Sequence, residues 1–399
     1  MTLSNGRHTL SIPGPSVMPE RVLQAMHRAA PNIYTGELID LTYSLIPDLK
    51  AVARTEHNVA MYIGNGHAAW EASLSNVLSP GDKVLAPSTG LFSFGWAEMA
   101  RRLGVEVEII DFGRRGVIDP SEIEQRLRDD KEQQFKAILV VQTDTSTSAK
   151  SDVLAIRRAI DAAKHPALLM IDSIACLACD EMQMDAWGVD VLVAGCQKGL
   201  MTPPGLSFVF FNDRADAVRA KMDRVSQYWD WVPRVRPQTY YQLWCGTAPT
   251  HHLYGLRVAL DMIVQEEGIE AVWARHATLA RAVWAALDAW SLEGSIELNI
   301  AEPNLRSNAV TSVRIDPPLG TKLRTWLTDH AGVTLGIGLG MQTDEDPQSD
   351  GFFRIGHMGH LNAHMLLGTL SSIDVGLKAL EIPHGTGAIE AATRACAAH

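Results

Sequence analysis

A lysine in a glycine- and proline-rich loop is the feature of this sequence that most restricts its fold and its chemistry. The loop spans residues 194–205, contains Lys198 and follows a short apolar run at 189–194 that is typical of a buried strand. Upstream, the apolar run 167–171 ends directly before Asp172. In a parallel sheet covered by helices, the residues that follow the strands meet at one crevice. The pattern therefore predicts that Lys198 and Asp172 face a common ligand.

A glycine-containing segment at residues 64–67 predicts an anion site. It follows the apolar run 59–63 and precedes a helical pattern over 68–78. Small residues let backbone N–H groups approach an anion, and the start of a helix adds a favourable dipole. The pattern Gly64-x-Gly66-x-x-Ala69 also fits a dinucleotide fingerprint, so a nicotinamide dehydrogenase is an alternative interpretation of the same residues.

A lysine, an aspartate and a phosphate site together indicate pyridoxal 5'-phosphate. The aldehyde of this cofactor forms a Schiff base with a lysine amine, and its pyridine nitrogen needs a carboxylate partner to stay protonated and withdraw electrons. Lys198 and Asp172 are residues of those two types. We therefore expect an enzyme that uses this cofactor, with a dehydrogenase and a cofactor-binding regulatory module without turnover as alternatives.

Motifs spread nearly from end to end of the chain carry a resemblance to a known family. They include Ile12-Pro-Gly-Pro15, Leu78-Ser-Pro-Gly-Asp-Lys-Val84, Gln197-Lys-Gly-Leu-Met-x-Pro-Pro-Gly205, Tyr228-Trp-Asp-Trp231, Leu253-Tyr-Gly-Leu-Arg257 and Arg354-Ile-Gly-His357. With these motifs the chain resembles the class V, fold-type I pyridoxal-phosphate enzymes, and is similar to the serine–glyoxylate, alanine–glyoxylate and aspartate–glyoxylate aminotransferases. The resemblance implies an α/β fold, with a mostly parallel sheet in a large domain and a smaller C-terminal α/β domain.

The resemblance also implies a reaction. It is the transfer of an amino group from a small L-amino acid of the serine, alanine or aspartate type to a small 2-oxo acid such as glyoxylate or pyruvate, by a ping-pong mechanism. Lys198 would bind the cofactor and, once freed, move a proton, while Asp172 would hold the pyridine nitrogen. Arg354 would hold the substrate carboxylate with its planar guanidinium.

Further cofactor contacts follow from the same resemblance. They are a phosphate cup, a ring-stacking aromatic, a residue against the opposite ring face and a hydroxyl at the ring's 3-oxygen, assigned respectively to Gly66, His67 and Gln197, to Phe92, to Ile174 and to Thr145. Thr247 would reach the phosphate in a neighbouring subunit, which implies a homodimer with shared active sites, or a tetramer built from it.

The sequence departs from the family around the substrate. Ile33-Tyr34 replaces a His-Arg pair, Thr143–Ser148 and Trp244-Cys245-Gly246 differ from the usual loops, and 342–350 is an acidic insertion. Tyr34 is interpreted as a substrate contact, and a tyrosine there is similar to pyridoxamine–pyruvate aminotransferase, which stays open as an alternative activity. A class V lyase such as a cysteine desulfurase is less favoured, because no cysteine lies in an evident mobile loop near the C-terminus.

Composition narrows the partners and the location. A net charge of −11 argues against a nucleic-acid or anionic-membrane surface, and the sequence contains no apolar run near the roughly 20 residues of a membrane span. Five cysteines are too few for a disulfide scaffold and are typical of a reducing cytoplasm. Cys176-x-x-Cys179 and His357-x-x-His360 lack further ligands at zinc spacing, so no metal is expected.

The order of the segments predicts two domains. Residues 1–20, with three prolines in the second half, are interpreted as an extended arm. Short apolar strands then alternate with helical stretches, which predicts a large cofactor-binding domain over 21–265. Long amphipathic stretches at 253–264 and 269–290 lead into a small C-terminal domain over 266–399, whose alanine-rich tail from 385 predicts a terminal helix.

Overall fold

The computed structural model describes residues 3–398 of the chain, in which helices and strands alternate over most of the length. Met1, Thr2 and His399, at the ends of the predicted arm and tail, lie outside the described residues. The strands are β1 (Thr9–Ser11), β2 (Asn58–Gly64), β3 (Lys83–Ser88), β4 (Glu106–Asp111), β5 (Phe135–Val141), β6 (Leu168–Asp172), β7 (Val191–Gly195), β8 (Gly205–Phe211), β9 (Glu297–Leu298), β10 (Val310–Arg314), β11 (Val333–Ile337) and β12 (Phe352–Gly356).

The helices flank these strands. They are α1 (Glu20–Met26), α2 (Glu37–Ala53), α3 (Gly66–Val77), α4 (Leu91–Arg102), α5 (Pro120–Asp129), α6 (Val153–Ala163), α7 (Asp213–Arg219), α8 (Val232–Val235), α9 (Tyr240–Trp244), α10 (Thr250–Leu260), α11 (Ile269–Trp290), α12 (Leu319–Trp326), α13 (Ala363–Ala379) and α14 (Ala388–Ala397). A π-helical segment, Asp261–Glu267, follows α10 directly. Gly268, with φ of +83°, separates this segment from α11. Two further short segments are 3₁₀- and π-helical, Pro303–Leu305 and Leu327–Ala331.

The larger sheet has seven strands in the order β2-β8-β7-β6-β5-β3-β4. From β7 to β4 neighbouring strands are parallel, and β8 runs antiparallel to both of its neighbours. Alternate residues of β5 enter the cores on opposite faces of the sheet, with Ile138 and Val140 in one and Ala137 and Leu139 in the other. Burial on both faces explains why these strands are continuous apolar runs. The expected mostly parallel α/β fold is confirmed.

The parallel strands place three loops at one edge of this sheet. Val141 at the end of β5 pairs with Asp172 at the end of β6, and Asp172 pairs with Val193 near the end of β7. The chain therefore leaves β5 towards Thr145 and leaves β7 towards Lys198 on the same side of the sheet as Asp172.

The smaller sheet has five strands in the order β1-β11-β12-β10-β9. Its neighbours are antiparallel except for β1, which pairs in parallel with β11 through Thr9 and Val333. Buried side chains such as Phe353 and Ile355 pack on one core with residues of α11 and α13. Within the predicted arm, β1 thus supplies an edge strand to the sheet that contains Arg354.

Candidate active site

A cavity of about 220 Å³ lies at the carboxyl ends of the parallel strands. It brings together eight of the residues predicted from the sequence with four others: Asn65, Gly66, His67, Trp70, Phe92, Thr143, Thr145, Asp172, Ile174, Ala175, Gln197 and Lys198. Residues that are distant in sequence therefore form one site.

Asp172 is a buried carboxylate held by two hydrogen bonds. The indole Nε1 of Trp70 donates to its Oδ2 at 2.8 Å, and the backbone N–H of Ile174 donates to its Oδ1 at 2.7 Å. Burial raises the pKa of Asp172 to about 7, against the opposing effect of these two bonds. A nearby cation, such as a protonated pyridine nitrogen, would stabilise the ionised form of a buried acid of this kind.

Lys198 lines the same cavity, in an environment that disfavours its positive charge. Burial, followed by the positive charge of Arg354, lowers the pKa of Lys198 to about 8. Its Nζ donates a hydrogen bond to the backbone carbonyl of Pro13 in the N-terminal arm. Near neutral pH a lysine with this pKa has an appreciable fraction of neutral amine, which is the nucleophilic form.

The start of α3 forms one end of the cavity. Asn65 caps the helix by accepting a hydrogen bond from the backbone N–H of His67 at 3.1 Å. A Cβ on Gly66 would lie 2.6 Å from Cδ1 of Ile174, so a larger residue here would displace the Ile174 side chain. The side-chain amide of Gln197 also lines the cavity, and its Oε1 is buried without a hydrogen-bond partner in the described chain. The N–H groups at the start of α3 can bind an anion such as phosphate, and Nε2 of Gln197 can donate to the same anion.

Trp70 is a site residue that the sequence analysis did not assign. Besides its bond to Asp172, it stacks on Trp96 with ring centroids 6.2 Å apart and meets the edge of Phe92 at 6.4 Å. It lies four residues after Gly66, one helical turn along the same face. That spacing was the available signal for a side chain that returns to the cavity.

Asp144 is a second unassigned residue, and it organises the wall that contains Phe92. Its Oδ2 accepts from the backbone N–H groups of Phe92 at 2.9 Å and Ser93 at 3.1 Å, at the start of α4. Its Oδ1 accepts from the backbone N–H of Ser146 at 3.0 Å and the hydroxyl of the same residue at 2.6 Å. Asp144 therefore caps α4 from a different loop and fixes Phe92 and Thr145 relative to each other.

Arg354 borders the cavity through the backbone of its wall. The side chain is 6% exposed, and its Nη1 donates to the carbonyl of Thr145 at 2.8 Å, while Nε donates to the carbonyl of Ile337 at 2.6 Å. Burial lowers the pKa of Arg354 to about 10, so it is still a cation at neutral pH. These bonds use two of the five guanidinium N–H groups and orient the rest.

Besides Arg354, two predicted contacts, Tyr34 and Thr247, are not among the residues that line the cavity of this chain. Tyr34 is 81% exposed, and its backbone N–H donates to Oδ1 of Asn32 at 2.8 Å. Thr247 is also exposed, as a residue that serves a neighbouring subunit would be in a single chain. The roles of both residues stay predictions.

Cys176, Cys179 and His357 of the cysteine and histidine motifs are buried, whereas His360 is exposed. Burial raises the pKa of Cys179 to about 12 and lowers the pKa of His357 to about 4. The His357 ring lies between the carbonyl of Asn308 and the hydroxyl of Thr311, each at 2.9 Å. Within residues 3–398, no group of three or more His, Cys, Asp or Glu side chains is arranged to hold a metal ion. In the same part of the chain, no helix is both long enough and apolar enough to cross a membrane.

Comparison with known proteins was made on both the sequence and the fold. The family model of the aminotransferases of class V matches residues 53–343. The chain belongs to this family. Over 97% of its length it is 35% identical to the serine–glyoxylate aminotransferase of Methylorubrum extorquens, covering 96% of that protein. It is 32% identical to the L-aspartate–glyoxylate aminotransferase of Paracoccus denitrificans, over 97% of this chain and 96% of that one.

A solved structure agrees on the fold. The chain superposes on pyridoxamine–pyruvate aminotransferase from Mesorhizobium loti with a TM-score of 0.89 over 100% of both chains, at 23% identity. This class-V aminotransferase therefore has the fold-type I architecture and is a pyridoxal-phosphate-dependent transaminase. The family match favours the transaminase interpretation of Gly64-x-Gly66-x-x-Ala69 over the dehydrogenase interpretation.

The residues of the cavity fit the cofactor of the family. The N–H groups at the start of α3 and the Nε2 donor of Gln197 suit its phosphate, the buried Asp172 suits its ring nitrogen, and Lys198 suits its aldehyde. When bound, pyridoxal phosphate supplies an aldehyde that takes up the substrate amino group and a protonated ring that withdraws electrons from the adjacent carbon.

Proposed function

We propose that this enzyme transfers the amino group of a small L-amino acid, of the serine, alanine or aspartate type, to a small 2-oxo acid such as glyoxylate or pyruvate. The names of its relatives support glyoxylate as acceptor and serine or aspartate as donor. The observation that carries the proposal is the position of Arg354, a buried cation oriented by the backbone of Thr145, whose other atoms line the cofactor cavity.

Arg354 would bind the amino acid and the 2-oxo acid in the same way. An amino acid and a 2-oxo acid share a carboxylate next to the reacting carbon, and the Nη1–Nη2 edge of a guanidinium can bind a carboxylate with two parallel hydrogen bonds. The two bonds from Arg354, to the carbonyl of Thr145 and to that of Ile337 at the end of β11, fix the plane of this edge. A fixed carboxylate brings the neighbouring carbon to the same place in both half-reactions, which lowers the entropic part of the barrier.

Lys198 is the group that moves the proton in this proposal. Its lowered pKa makes the amine a competent base, and it lines the same cavity as Asp172. Asp172 would stabilise the positive charge on the ring nitrogen, while Phe92 and Ile174 line the cavity where the ring would lie. The residues therefore divide the work into holding charge, positioning the ring and transferring the proton.

We also propose a homodimer with shared sites, which could assemble further into a tetramer, and a cytoplasmic location. The exposed Thr247 supports the first part, because a residue that serves a neighbouring subunit must be accessible on its own chain. The five free cysteines support the second, since such thiols persist in a reducing compartment. Sedimentation would test the assembly, and mixing Thr247→Ala with Lys198→Ala subunits would test sharing by the recovery of activity.

The donor and acceptor can be identified by one screen. The holoenzyme is incubated with each L-amino acid and with either glyoxylate or pyruvate, and mass spectrometry measures glycine or alanine formed. We expect glycine from glyoxylate with serine, alanine or aspartate as donor. Turnover with none of these small amino acids would overturn the proposal.

Pyridoxamine belongs in the same screen. Consumption of pyridoxamine with pyruvate, without turnover of amino acids, would assign the alternative activity suggested by Tyr34. The phosphate-binding features at Gly66 and Gln197 favour the phosphorylated cofactor over this alternative, because a free pyridoxamine substrate has no phosphate to place there.

A further inference from the structure

The N-terminal arm lies directly against the lysine loop. The hydroxyl of Ser16 donates to the backbone carbonyl of Lys198 at 2.7 Å, and the backbone N–H of Ser16 donates to the carbonyl of Gln197 at 2.9 Å. The amine of Lys198 in turn donates to the carbonyl of Pro13. The arm thus contacts Lys198 at both the main chain and the end of the side chain.

Gly14 makes room for the lysine side chain. A Cβ on Gly14 would lie 2.5 Å from Cδ and 2.6 Å from Cε of Lys198, closer than carbon atoms approach without bonding. Gly14 has φ of +94°, a conformation that other residues rarely adopt. The positive φ favours glycine at this position, whereas the short distances mean that a Cβ here would displace the end of the Lys198 side chain.

The other side of the arm is fitted into the smaller sheet. A Cβ on Gly336 of β11 would lie 2.6 Å from Cδ of Pro13 and 3.1 Å from Cβ of Arg354, and a Cβ on Gly356 of β12 would lie 2.9 Å from the nitrogen of Pro13. Pro13 is buried between these strands and the lysine loop. The pairing of β1 with β11 holds the preceding residues in register. The carbonyl of Pro13 is therefore fixed with respect to both Lys198 and the strand that contains Arg354.

We propose that residues 13–16 are a positioning element for Lys198: the carbonyl of Pro13 receives the lysine amine whenever the amine is not bonded to the cofactor, and Gly14 keeps that place accessible. The inference rests on the proposed function in taking Lys198 as the cofactor lysine. A fixed acceptor limits the places that the free amine can occupy, so it stays beside the carbon whose proton it moves. The arm then affects proton transfer without contacting the substrate.

The test compares Gly14→Ala with Gly81→Ala. Gly81 has nearly the same φ, +88°, but a Cβ there has nothing within 4 Å, so this control reproduces the backbone strain without the contact to Lys198. The cofactor is removed from each protein, trinitrobenzenesulfonate is added at pH 7, and peptide mass spectrometry measures modification of Lys198. In Gly14→Ala the amine loses its carbonyl acceptor and is displaced, so we expect labelling to be about tenfold faster or more, with no change in Gly81→Ala.

Turnover provides a second measurement. With an amino acid deuterated at Cα, the isotope effect on kcat should rise in Gly14→Ala, because proton transfer becomes slower while KM for both substrates stays near that of the wild type. Gly81→Ala should keep the wild-type isotope effect. Equal labelling of Lys198 in the two variants, together with equal isotope effects, would overturn the proposal.

Ser16→Ala repeats the test without backbone strain, in case Gly14→Ala does not fold. It removes the hydroxyl that holds the Lys198 carbonyl, so Lys198 should be labelled about fivefold faster. Ser11→Ala is its control. Ser11 lies in the same arm as Ser16, but its hydroxyl forms a hydrogen bond with the hydroxyl of Thr369 in α13, at 3.0 Å. Unchanged labelling in Ser16→Ala would count against the arm. Borohydride treatment of the wild-type holoenzyme separates the two hypotheses: if it fixes no cofactor on Lys198, the assignment of the lysine is wrong, whatever the arm does.

Discussion

At the lysine end of the cavity, the functional groups follow three adjacent parallel strands, whereas at the arginine end they come from parts of the chain that meet only in the folded molecule. Asp172, Lys198 and Thr145 lie just beyond or at the ends of β6, β7 and β5. Arg354 lies in the other sheet and is oriented by the carbonyls of Ile337, at the end of β11, and of Thr145, in the loop after β5. Under the proposed function, cofactor chemistry is thus built on one sheet, while substrate binding depends on how the two sheets meet.

This difference predicts that substitutions at the two ends separate kinetically. Changes at the lysine end should affect cofactor spectra and kcat, because they alter the groups around the ring. Changes at the arginine end should affect KM, because they alter the grip on the carboxylate. Residues that join the two ends, such as Asp144, should affect both to a smaller degree.

Lys198→Ala should have the largest effect. The purified wild-type protein is expected to be yellow, and borohydride should fix the mass of the cofactor on the peptide that contains Lys198. The variant should show neither the fixed mass nor turnover above the buffer control, since both the attachment point and the base are gone. Lys221→Ala is the control, because Lys221 lies in the turn that follows α7 and does not line the cavity. If cofactor were fixed on another lysine of the variant, Lys198 would not be the attachment point.

Asp172→Asn should lower kcat by roughly 10²–10³-fold while cofactor still attaches to Lys198. An amide cannot balance the positive charge of the ring nitrogen, so the ring withdraws electrons less strongly. Steady-state kinetics measures the first effect and the absorbance of the bound cofactor measures the second. Near-normal turnover would place the partner of the ring nitrogen elsewhere.

The same variant sharpens the electrostatic side of the comparison. In the cofactor-free wild type, burial raises the pKa of Asp172 from 3.8 to about 7. Between these two pH values the carboxyl group is protonated in the folded state and ionised in the unfolded state. Stability from this group is therefore present at low pH and is lost as the pH rises towards 7, by at most about 1.4 kcal/mol per pH unit. The free energy of unfolding of Asp172→Asn minus that of the wild type should rise with pH between 4 and 7. A flat difference would show that Asp172 is ionised throughout.

Arg354→Lys tests the arginine end. The lysine keeps the charge but loses the planar fork, so KM for the amino acid and for the 2-oxo acid should both rise by about 10–100-fold with little change in cofactor absorbance. Arg314→Lys is a matched control, because Arg314 lies on the neighbouring strand β10 and pairs with Glu297. Unchanged KM for both substrates would mean that another group holds the carboxylate and would bring amines without a carboxylate into consideration as donors.

Asp144→Asn should affect both ends of the cavity. One of its oxygens becomes a donor that faces other donors, so either the start of α4 or Ser146 loses its acceptor. We expect about a tenfold lower kcat and weaker visible circular dichroism of the cofactor, because Phe92 and Thr145 are less firmly placed. Asp119→Asn, at the cap of α5, should leave the dichroism unchanged. A change confined to thermal stability would limit Asp144 to a structural role.

Tyr34→Phe should have the smallest effect. If Tyr34 reaches substrate in the assembled enzyme, loss of its hydroxyl should change the ratio of kcat/KM between two donors by about fivefold or less. The same ratio measured for Tyr43→Phe is the control, since Tyr43 is also partly exposed on a nearby helix. An unaltered preference would leave Tyr34 as a loop tyrosine.

The two ends also differ in how far the sequence predicts them. Lys198 and Asp172 follow apolar runs that are local in sequence, and parallel strands bring such positions together without further information. Trp70 was within reach of the same reasoning, through its spacing from Gly66. Asp144 was not, because its partner Phe92 lies 52 residues away at the start of α4, and a carboxylate cap from a distance leaves no local pattern. The pairing of β1 with β11 likewise joins segments near opposite ends of the chain, which periodicity cannot detect.

The pairing of β1 with β11 also sets an order of events during synthesis. β1 leaves the ribosome among the first residues, while its partner strand is translated after the whole of the larger sheet. The larger sheet can form before β11, the partner strand of the arm, has been translated, since contacts between distant segments form late in folding. The lysine loop therefore acquires its last neighbours, Pro13 and Ser16, only when translation is nearly complete. A nascent chain that stops before β11 is expected to contain a folded cofactor sheet with an unsupported lysine, and so to remain inactive until its final strands arrive.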